Sequence, residues 1–162
     1  MMARKTFFSF HFESDSWRAG QVRNSGLFMG DKAGFIDKAD WEEVKRKGEQ
    51  AIKRWINKQL EGTSTTVVLI GSETSERKYV GYEIEQSAKR GNGLLGIYIH
   101  RVKDVYGRTD TKGKNPFDNW YYERNVKNVY FSEIYPTYDW VIDNGRDNLG
   151  KWIEAAAKHA GR

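Results

Sequence analysis

The clearest candidate for chemistry in this 162-residue sequence is a single carboxylate, Glu83. It follows Tyr79 by four residues in the segment Tyr79-Val80-Gly81-Tyr82-Glu83-Ile84, so on a helix both side chains point along one face. That face lies about 80–100° round the helix from the stripe of Val80 and Ile84, which we expect to face the core. Spacing alone therefore predicts a half-buried acid at the border of the core, and such an acid is more often structural than catalytic.

Other routes to catalysis have little support in the sequence. Cysteine is absent, which excludes disulfides, thiolate nucleophiles and the common structural zinc sites, and we expect no metal site. The three histidines stand in contexts that do not fit a Ser-His-Asp triad, and there is no GxSxG elbow. Neither a GxGxxG motif nor a Walker loop is present to bind phosphate. The carboxylate of Glu83 is therefore the remaining candidate for a catalytic group.

The elements that must position Glu83 begin with an aromatic-rich strand predicted over residues 6–12. The polar residues 13–16 are typical of a loop with N-capping side chains, and a helix is predicted over residues 17–23. A second short strand is expected at residues 27–29. A long helix then begins near Ala39, with Asp40 as its cap, and ends before Gly62.

The next segments predict a parallel sheet. Residues 65–71 form a continuous β-branched apolar run, which is typical of a strand buried on both faces. A polar loop at 72–76, a helix at 78–90 and another buried strand at 94–99 follow. Strands that alternate with helices in this way imply right-handed βαβ units, so the sequence predicts an α/β fold with helices on both faces of the sheet.

Ligands of such sheets collect beyond the carboxyl ends of the strands, where three loops are expected to meet: 9–15, 72–76 and the segment after Ile99. Residues 100–126 form a long polar connection, which is either functional or an ornament. Residues 129–131 predict a short edge strand, and 143–157 a last helix. Its inward residues are Leu149, Trp152, Ile153 and Ala156. We expect one domain over residues 1–162, with about 100–135 as a loop-rich insertion.

Charge and hydropathy narrow the class of protein. Lysine and arginine number 27 against 22 acidic residues, and these charges are interspersed, so a nucleic acid is not expected as the principal ligand. No apolar run approaches the roughly 20 residues of a membrane span, and the N-terminus lacks the apolar stretch of a secretory signal. We expect a soluble protein of the cytoplasm with no membrane partner.

Three motifs in chain order resemble the TIR-like family: Thr6-Phe7-Phe8-Ser9-Phe10, Val67-Val68-Leu69-Ile70-Gly71-Ser72-x-Thr74, and Tyr79-Val80-x-Tyr82-Glu83-Ile84. More narrowly, the chain is similar to the TIR-domain sensors of the bacterial Thoeris antiphage system (ThsB type). The narrower resemblance extends from about residue 5 to residue 155 and includes residues 41–57 and the segments Arg90-Gly91-Asn92-x-Leu94-Leu95-Gly96-Ile97, Lys103-Asp104-x-Tyr106-Gly107, Lys112-Gly113-x-Asn115-Pro116-Phe117-Asp118 and Tyr138-Asp139-Trp140-Val141.

The resemblance implies a flavodoxin-like fold and an activity. The family cleaves NAD at the nicotinamide–ribose bond, and Thoeris sensors cyclise the ADP-ribose into a signalling nucleotide. NAD is then the substrate, and no further cofactor is expected. Glu83 is implied as the catalytic residue. The implied NAD-binding residues are the aromatics Phe7, Phe10 and Tyr79, which stack on a base, and the hydroxyl residues Ser9, Ser72 and Thr74, which meet ribose or phosphate oxygens.

The resemblance also implies partners. The cyclic nucleotide diffuses to an effector protein, and a phage-derived activator triggers the enzyme. The sequence is compatible with assembly into a homo-oligomer. The chief departure from the family motif is Tyr79, where most members carry tryptophan.

The alternative is a non-catalytic TIR-type interaction or nucleotide-binding module, which is favoured by Tyr79 and by the aromatic pair Tyr121-Tyr122. Several residues also have a purely structural interpretation. At least two of Phe7, Phe8 and Phe10 are expected in the core, Phe8 first among them. Ser9 then satisfies a loop amide, and Trp41 and Trp55, at helical spacing, are expected to be core rather than a ligand platform.

Overall fold

The computed structural model describes residues 4–25 and 30–162, and at its centre lies a five-stranded parallel sheet. The strands among these residues are β1 (Thr6–Ser9), β2 (Lys32–Ala33), β3 (Thr65–Ile70), β4 (Gly93–Tyr98), β5 (Tyr121–Arg124), β6 (Lys127–Tyr130) and β7 (Thr137–Asp139). The α-helices are α1 (Phe12–Asn24), α2 (Lys38–Arg46), α3 (Glu49–Leu60), α4 (Lys78–Lys89), α5 (Phe131–Ile134) and α6 (Gly145–His159).

The order of strands in the main sheet is β2-β1-β3-β4-β7, and every neighbouring pair is parallel. This order reverses direction between β1 and β3, as in flavodoxin-like folds. The predicted fold class is confirmed. Strands β3 and β4 fall where the apolar runs predict them, and all six residues of β3 are buried.

Helices cover both faces of the sheet. On one face α1 and α6 pack on β1, β3 and β4 through a cluster that includes Phe8, Ala19, Val22, Val67, Leu69, Leu95, Ile97, Leu149 and Ile153. On the other face α4 packs through Val80 and Ile84, which are 2% and 0% exposed and form the predicted core stripe. Helix α3 also packs there, against Phe7.

The first helix begins earlier than its predicted start at residue 17. Strand β1 ends at Ser9, and α1 begins at Phe12, so residues 13–16 form the first turn of the helix rather than a loop. Glu13 and Asp15 are acidic residues in that turn, where a negative charge interacts favourably with the positive end of the helix dipole. The ring of Phe12 packs against that of Trp41, with the centroids 5.4 Å apart. The strand predicted at 27–29 lies outside the described residues.

The long helix predicted over 39–60 is two helices. Gly48 separates them with a φ of +96°, a backbone conformation that side chains with a Cβ rarely adopt. The cap of α2 is Asp37, whose carboxylate accepts a 2.9 Å hydrogen bond from the backbone N–H of Asp40, so Asp40 is capped and is not itself the cap.

The long connection after β4 packs onto the carboxyl edge of the sheet. Arg18 of α1 is buried and donates hydrogen bonds to the carbonyl oxygens of Val102 (2.6 Å) and Arg108 (2.9 Å). Phe117 lies in a short 3-10 helix, Pro116–Asn119, and is fully buried. The short edge strand predicted at 129–131 is found in part: β6 covers Val129 and Tyr130 but pairs with β5 in a separate antiparallel hairpin rather than with the main sheet, and Phe131 begins α5.

The two edge strands of the main sheet are β2 and β7. The last helix, α6, begins two residues later than predicted and keeps the expected inward face, with Leu149, Ile153 and Ala156 buried. Trp152 is half-buried and stacks on Tyr138 at a centroid distance of 4.0 Å. Within residues 4–25 and 30–162, none of the helices is both long and apolar enough to cross a membrane.

Candidate active site

A cavity of about 520 Å³ opens beside the carboxyl end of β1. Its walls come from β1, the first turn of α1, and helices α2, α3 and α4. The volume lies within the range of ordinary small-molecule sites, and the position is the point where the strand order reverses, which is where such sheets bind ligands.

Glu83 lines this cavity from α4 and is 7% exposed, so it is buried more deeply than the half-buried position that its spacing predicts. The hydroxyl of Ser9, the last residue of β1, donates a 2.6 Å hydrogen bond to Oε1 of Glu83. Burial raises the pKa of Glu83 to about 8, and the bond from Ser9 opposes that rise. At neutral pH the carboxyl group of the free protein is therefore mainly uncharged.

Aromatic side chains form much of the remaining wall. Phe10, Phe12, Trp41, Trp55 and Tyr79 all line the cavity. Trp41 packs between Phe12 and Trp55, with ring centroids 5.4 and 5.7 Å away. Together these rings can stack on the planar bases of a ligand. Trp41 and Trp55 also contact the core cluster around Phe7, as predicted. Each tryptophan therefore packs on the core on one side and lines the cavity on the other.

The rim of the cavity carries charge. Lys45, Arg77 and Lys78 line it, together with Glu13 and His11. His11 is buried, its Nδ1 lies 2.6 Å from the hydroxyl of Ser14, and its Nε2 lies 3.5 Å from a carboxylate oxygen of Glu13. Burial lowers the pKa of His11, and the positive charge of Arg77 lowers it further. An anionic group of a ligand would find cations at this rim.

The structure brings together four of the residues that the resemblance implies for the site. Phe10, Tyr79 and Glu83 line the cavity, and Ser9 donates a hydrogen bond to the carboxyl group of Glu83. The other three, Phe7, Ser72 and Thr74, lie outside the cavity. The walls also include residues for which the sequence predicted no role in binding, chiefly Trp41.

Phe7, Ser72 and Thr74 do not line the cavity. Phe7 is 0% exposed and packs among Ile52, Ile56 and Leu60 in the core. Thr74 is also 0% exposed, and its hydroxyl accepts a 2.8 Å hydrogen bond from the N–H of Gly71. Ser72 donates a 3.1 Å hydrogen bond to Asp110 in the long connection.

Sequence reasoning missed several residues of the cavity. Trp41, Trp55, Lys45 and Arg77 line it, although helical spacing assigned the tryptophans to the core and no binding role was predicted for the two cations. The available signal was the position of the predicted helices, because the helices that follow β2 and β3 must flank the carboxyl end of β1. Among the residues that the structure describes, no group of three or more His, Cys, Asp or Glu side chains is placed to hold a metal ion.

These features define a class of protein. The reversed strand order and the carboxyl group on the helix after β3 are the parts of a TIR-like domain that the sequence motifs predict, and the structure adds a hydrogen bond from the end of the first strand to that carboxyl group. The family model of the TIR-like domain of the Thoeris protein ThsB matches residues 7–104. The chain belongs to this family.

A curated relative extends the match over nearly the whole chain. It is a protein of Bacillus cereus (strain MSX-D12) named "Putative cyclic ADP-D-ribose synthase ThsB1". The two sequences are 34% identical over 191 aligned positions, which cover 94% of this chain and 100% of the relative. The similarity therefore extends well beyond the residues matched by the family model.

Proposed function

We propose that this protein cleaves NAD at the nicotinamide–ribose bond and cyclises the resulting ADP-ribose into a signalling nucleotide. The observation that carries the proposal is Glu83, a carboxyl group buried in an aromatic cavity and held by Ser9. The name of the Bacillus cereus relative supports the same chemistry.

Glu83 suits a reaction that needs no strong general acid. When the bond between the ribose C1′ and the nicotinamide nitrogen breaks, its electron pair leaves with nicotinamide, which departs as a neutral base. Positive charge then develops on the ribose, as in glycoside hydrolysis. Glu83 stabilises this charge and hydrogen-bonds the ribose hydroxyls. The positive nicotinamide ring of bound NAD favours the ionised form of Glu83, although burial keeps the carboxyl group protonated in the free protein.

Cyclisation requires that a group of the same nucleotide, rather than water, forms the new bond to C1′. The attacking group loses its proton when it carries one, and the net reaction converts NAD into nicotinamide and a cyclic product. The enclosing walls support this outcome, because Glu83 is only 7% exposed and Phe10 and Tyr79 lie beside it. Both aromatic rings stack on a base in this proposal, and the side chain of Ser9 orients Glu83.

The proposal includes the partners implied by the resemblance. NAD is the substrate and no further cofactor takes part. The cyclic product diffuses to an effector protein and activates it, and a phage-derived activator, with or without self-assembly, switches the enzyme on. The protein acts in the cytoplasm, where both NAD and the effector are available.

Release of nicotinamide tests the activity. Wild type and Glu83→Gln, each mixed with lysate from phage-infected cells as the source of activator, are incubated with NAD, and nicotinamide is followed by chromatography. Glu85→Gln is the matched control, because Glu85 lies on the same helix but does not line the cavity. Its carboxylate forms an ion pair with Lys89 at a distance of 3.3 Å. We expect release by wild type and Glu85→Gln only. Equal release by Glu83→Gln would overturn the catalytic assignment.

A non-catalytic TIR-type interaction module is the second candidate. It is favoured by the exposed aromatic pair Tyr121 and Tyr130 on the hairpin, whose ring centroids lie 5.5 Å apart, and by Tyr79 in place of the usual tryptophan. This candidate predicts that phage protection survives Glu83→Gln and is lost when Tyr121 and Tyr130 are both replaced by serine. A plaque assay with the two variants separates it from the enzyme.

A further inference from the structure

We propose that the cavity rim around Arg77 is a binding site for the diphosphate bridge of a dinucleotide, with the guanidinium group of Arg77 as its principal ligand. This inference rests on the proposed function, because NAD supplies the diphosphate. It goes further in assigning a role to a residue that lies outside the motifs of the resemblance.

Arg77 has hydrogen-bonding capacity that the protein does not use. Its side chain lines the cavity, and one terminal nitrogen, Nη2, makes a single 3.3 Å ion pair with Glu73. The Nε atom is buried and has no hydrogen-bond partner. The side chain as a whole is 40% exposed, so its terminal nitrogens, rather than the buried Nε, are the donors within reach of an acceptor supplied by a ligand.

The other two cations of the rim have shorter contacts with carboxylates than Arg77 has. Lys45 contacts carboxylate oxygens of both Glu13 (3.2 Å) and Glu42 (3.1 Å). Lys78 contacts Glu49 at 2.7 Å. The planar fork of a guanidinium group also matches two phosphate oxygens at once, which an ammonium group does not. Of the cations described at this rim, Arg77 is therefore the best suited to a diphosphate.

The surroundings of Arg77 add further donors and few competing groups. Arg77 is the N-cap of the 12-residue helix α4, and no side chain caps this end, so the first-turn N–H groups face the same region. His11 lies close enough for the charge of Arg77 to lower its pKa. The carboxylates near this position are Glu13, which is engaged by Lys45, and Glu73, which is the present partner of Arg77.

The position along α4 fits the geometry of a dinucleotide. Arg77 precedes Glu83 by six residues, which is about 9 Å along a helix axis. A ribose whose C1′ lies at Glu83 would thus direct its 5′-phosphate toward the start of the helix. The aromatic wall around Trp41 and Trp55 then remains for the adenine at the other side of the cavity.

The test measures binding, so it does not depend on turnover. ADP-ribose and adenosine are titrated separately by isothermal calorimetry into wild type, Arg77→Gln, Arg77→Lys, Glu73→Gln and Arg90→Gln. Arg90→Gln is the matched control, because Arg90 lies at the opposite end of α4 and does not line the cavity. Circular dichroism at each titration temperature checks that every variant is folded.

We expect Arg77→Gln to raise the Kd of ADP-ribose roughly tenfold or more and to leave the Kd of adenosine unchanged. Arg77→Lys restores part of the affinity, Glu73→Gln lowers the Kd roughly two- to threefold by removing the competing carboxylate, and Arg90→Gln has no effect. The proposal is overturned if Arg77→Gln leaves ADP-ribose binding intact, if it weakens both ligands equally, or if wild type does not bind ADP-ribose. Binding through Arg77 without nicotinamide release would instead contradict the proposed function alone.

Discussion

The hydroxyl of Ser9 donates a 2.6 Å hydrogen bond to Oε1 of Glu83 and so joins the end of β1 to the middle of α4. The two residues are 74 positions apart in the sequence, and both are buried. This bond fixes the direction of the carboxyl group toward the cavity. It also favours the ionised form of Glu83, against the larger effect of burial.

The first prediction concerns stability against pH. Burial raises the pKa of Glu83 in the folded protein from 4.5 to about 8, so the folded state binds this proton more tightly than the unfolded state. The contribution of the protonated carboxyl is complete below about pH 4.5 and is lost as the pH rises toward about 8. We expect the Tm of Glu83→Gln to exceed that of wild type by an amount that grows across this window, in thermal scans at a series of pH values. A constant difference in Tm would contradict the raised pKa.

The second prediction concerns Ser9 as a positioning residue. Ser9→Ala removes the hydrogen bond that lowers the pKa of Glu83, so the rise of kcat/KM with pH should move to higher pH. We also expect kcat at neutral pH to fall roughly tenfold, with KM for NAD little changed. The measurement is a pH–rate profile of nicotinamide release.

Ser87→Ala is the control for Ser9→Ala. Ser87 is also fully buried, and its hydroxyl lies 2.7 Å from that of Thr66, on the part of α4 that faces the sheet. Its loss should cost a similar free energy of unfolding, about 1 kcal/mol, without moving the pH profile. A profile that shifts equally in both variants would mean that Ser9 acts only on stability.

The third prediction concerns the aromatic wall. Stacking of a nucleotide base on an aromatic side chain contributes about 1–3 kcal/mol, so Trp55→Leu should raise KM for NAD roughly tenfold. Trp152→Leu serves for comparison, because Trp152 stacks on Tyr138 on the other face of the sheet. The measurement is the KM for NAD of both variants in steady-state kinetics. Equal KM values for Trp55→Leu and Trp152→Leu would exclude Trp55 from the binding site.

The fourth prediction separates two neighbouring phenylalanines of the first motif. Phe7 is 0% exposed in the core, whereas Phe10 lines the cavity. Phe7→Ala should lower the free energy of unfolding by about 3–5 kcal/mol and leave KM of the remaining folded enzyme unchanged. Phe10→Ala should raise KM with a smaller loss of stability. Urea denaturation and kinetics on both variants test this, and the reverse pattern would return Phe7 to the ligand site.

The central part of the fold was predictable because its signals are local. The β-branched run at β3 and the stripe of Val80 and Ile84 on α4 each specify one element and its buried face. The start of α1 was not predictable, because Phe10 and Phe12 continue the aromatic pattern of β1 although the strand has already ended. The N-cap residue of the helix, His11, also makes no side-chain capping bond that would mark the position.

The cavity was predictable only in part. The motifs indicated Glu83, and the order of elements placed it near the end of β1. Helical spacing shows that Trp41 and Trp55 face inward, but it cannot show that the interior is hollow beside them. The role of Ser9 depends on a contact between distant segments, and the free Nε of Arg77 depends on which acids reach it, so neither is encoded in spacing.

The central claim is that Glu83 supports synthesis of a cyclic nucleotide from NAD during infection. The most direct measurement is mass spectrometry of nucleotides extracted from phage-challenged cells that carry wild type, Glu83→Gln or Glu85→Gln at equal protein levels, without the effector so that NAD is not depleted. We expect a cyclic ADP-ribose isomer from cells that carry wild type or Glu85→Gln, and none from cells that carry Glu83→Gln. Equal amounts of that product in all three strains, or its absence with wild type, would show that Glu83 does not support this synthesis.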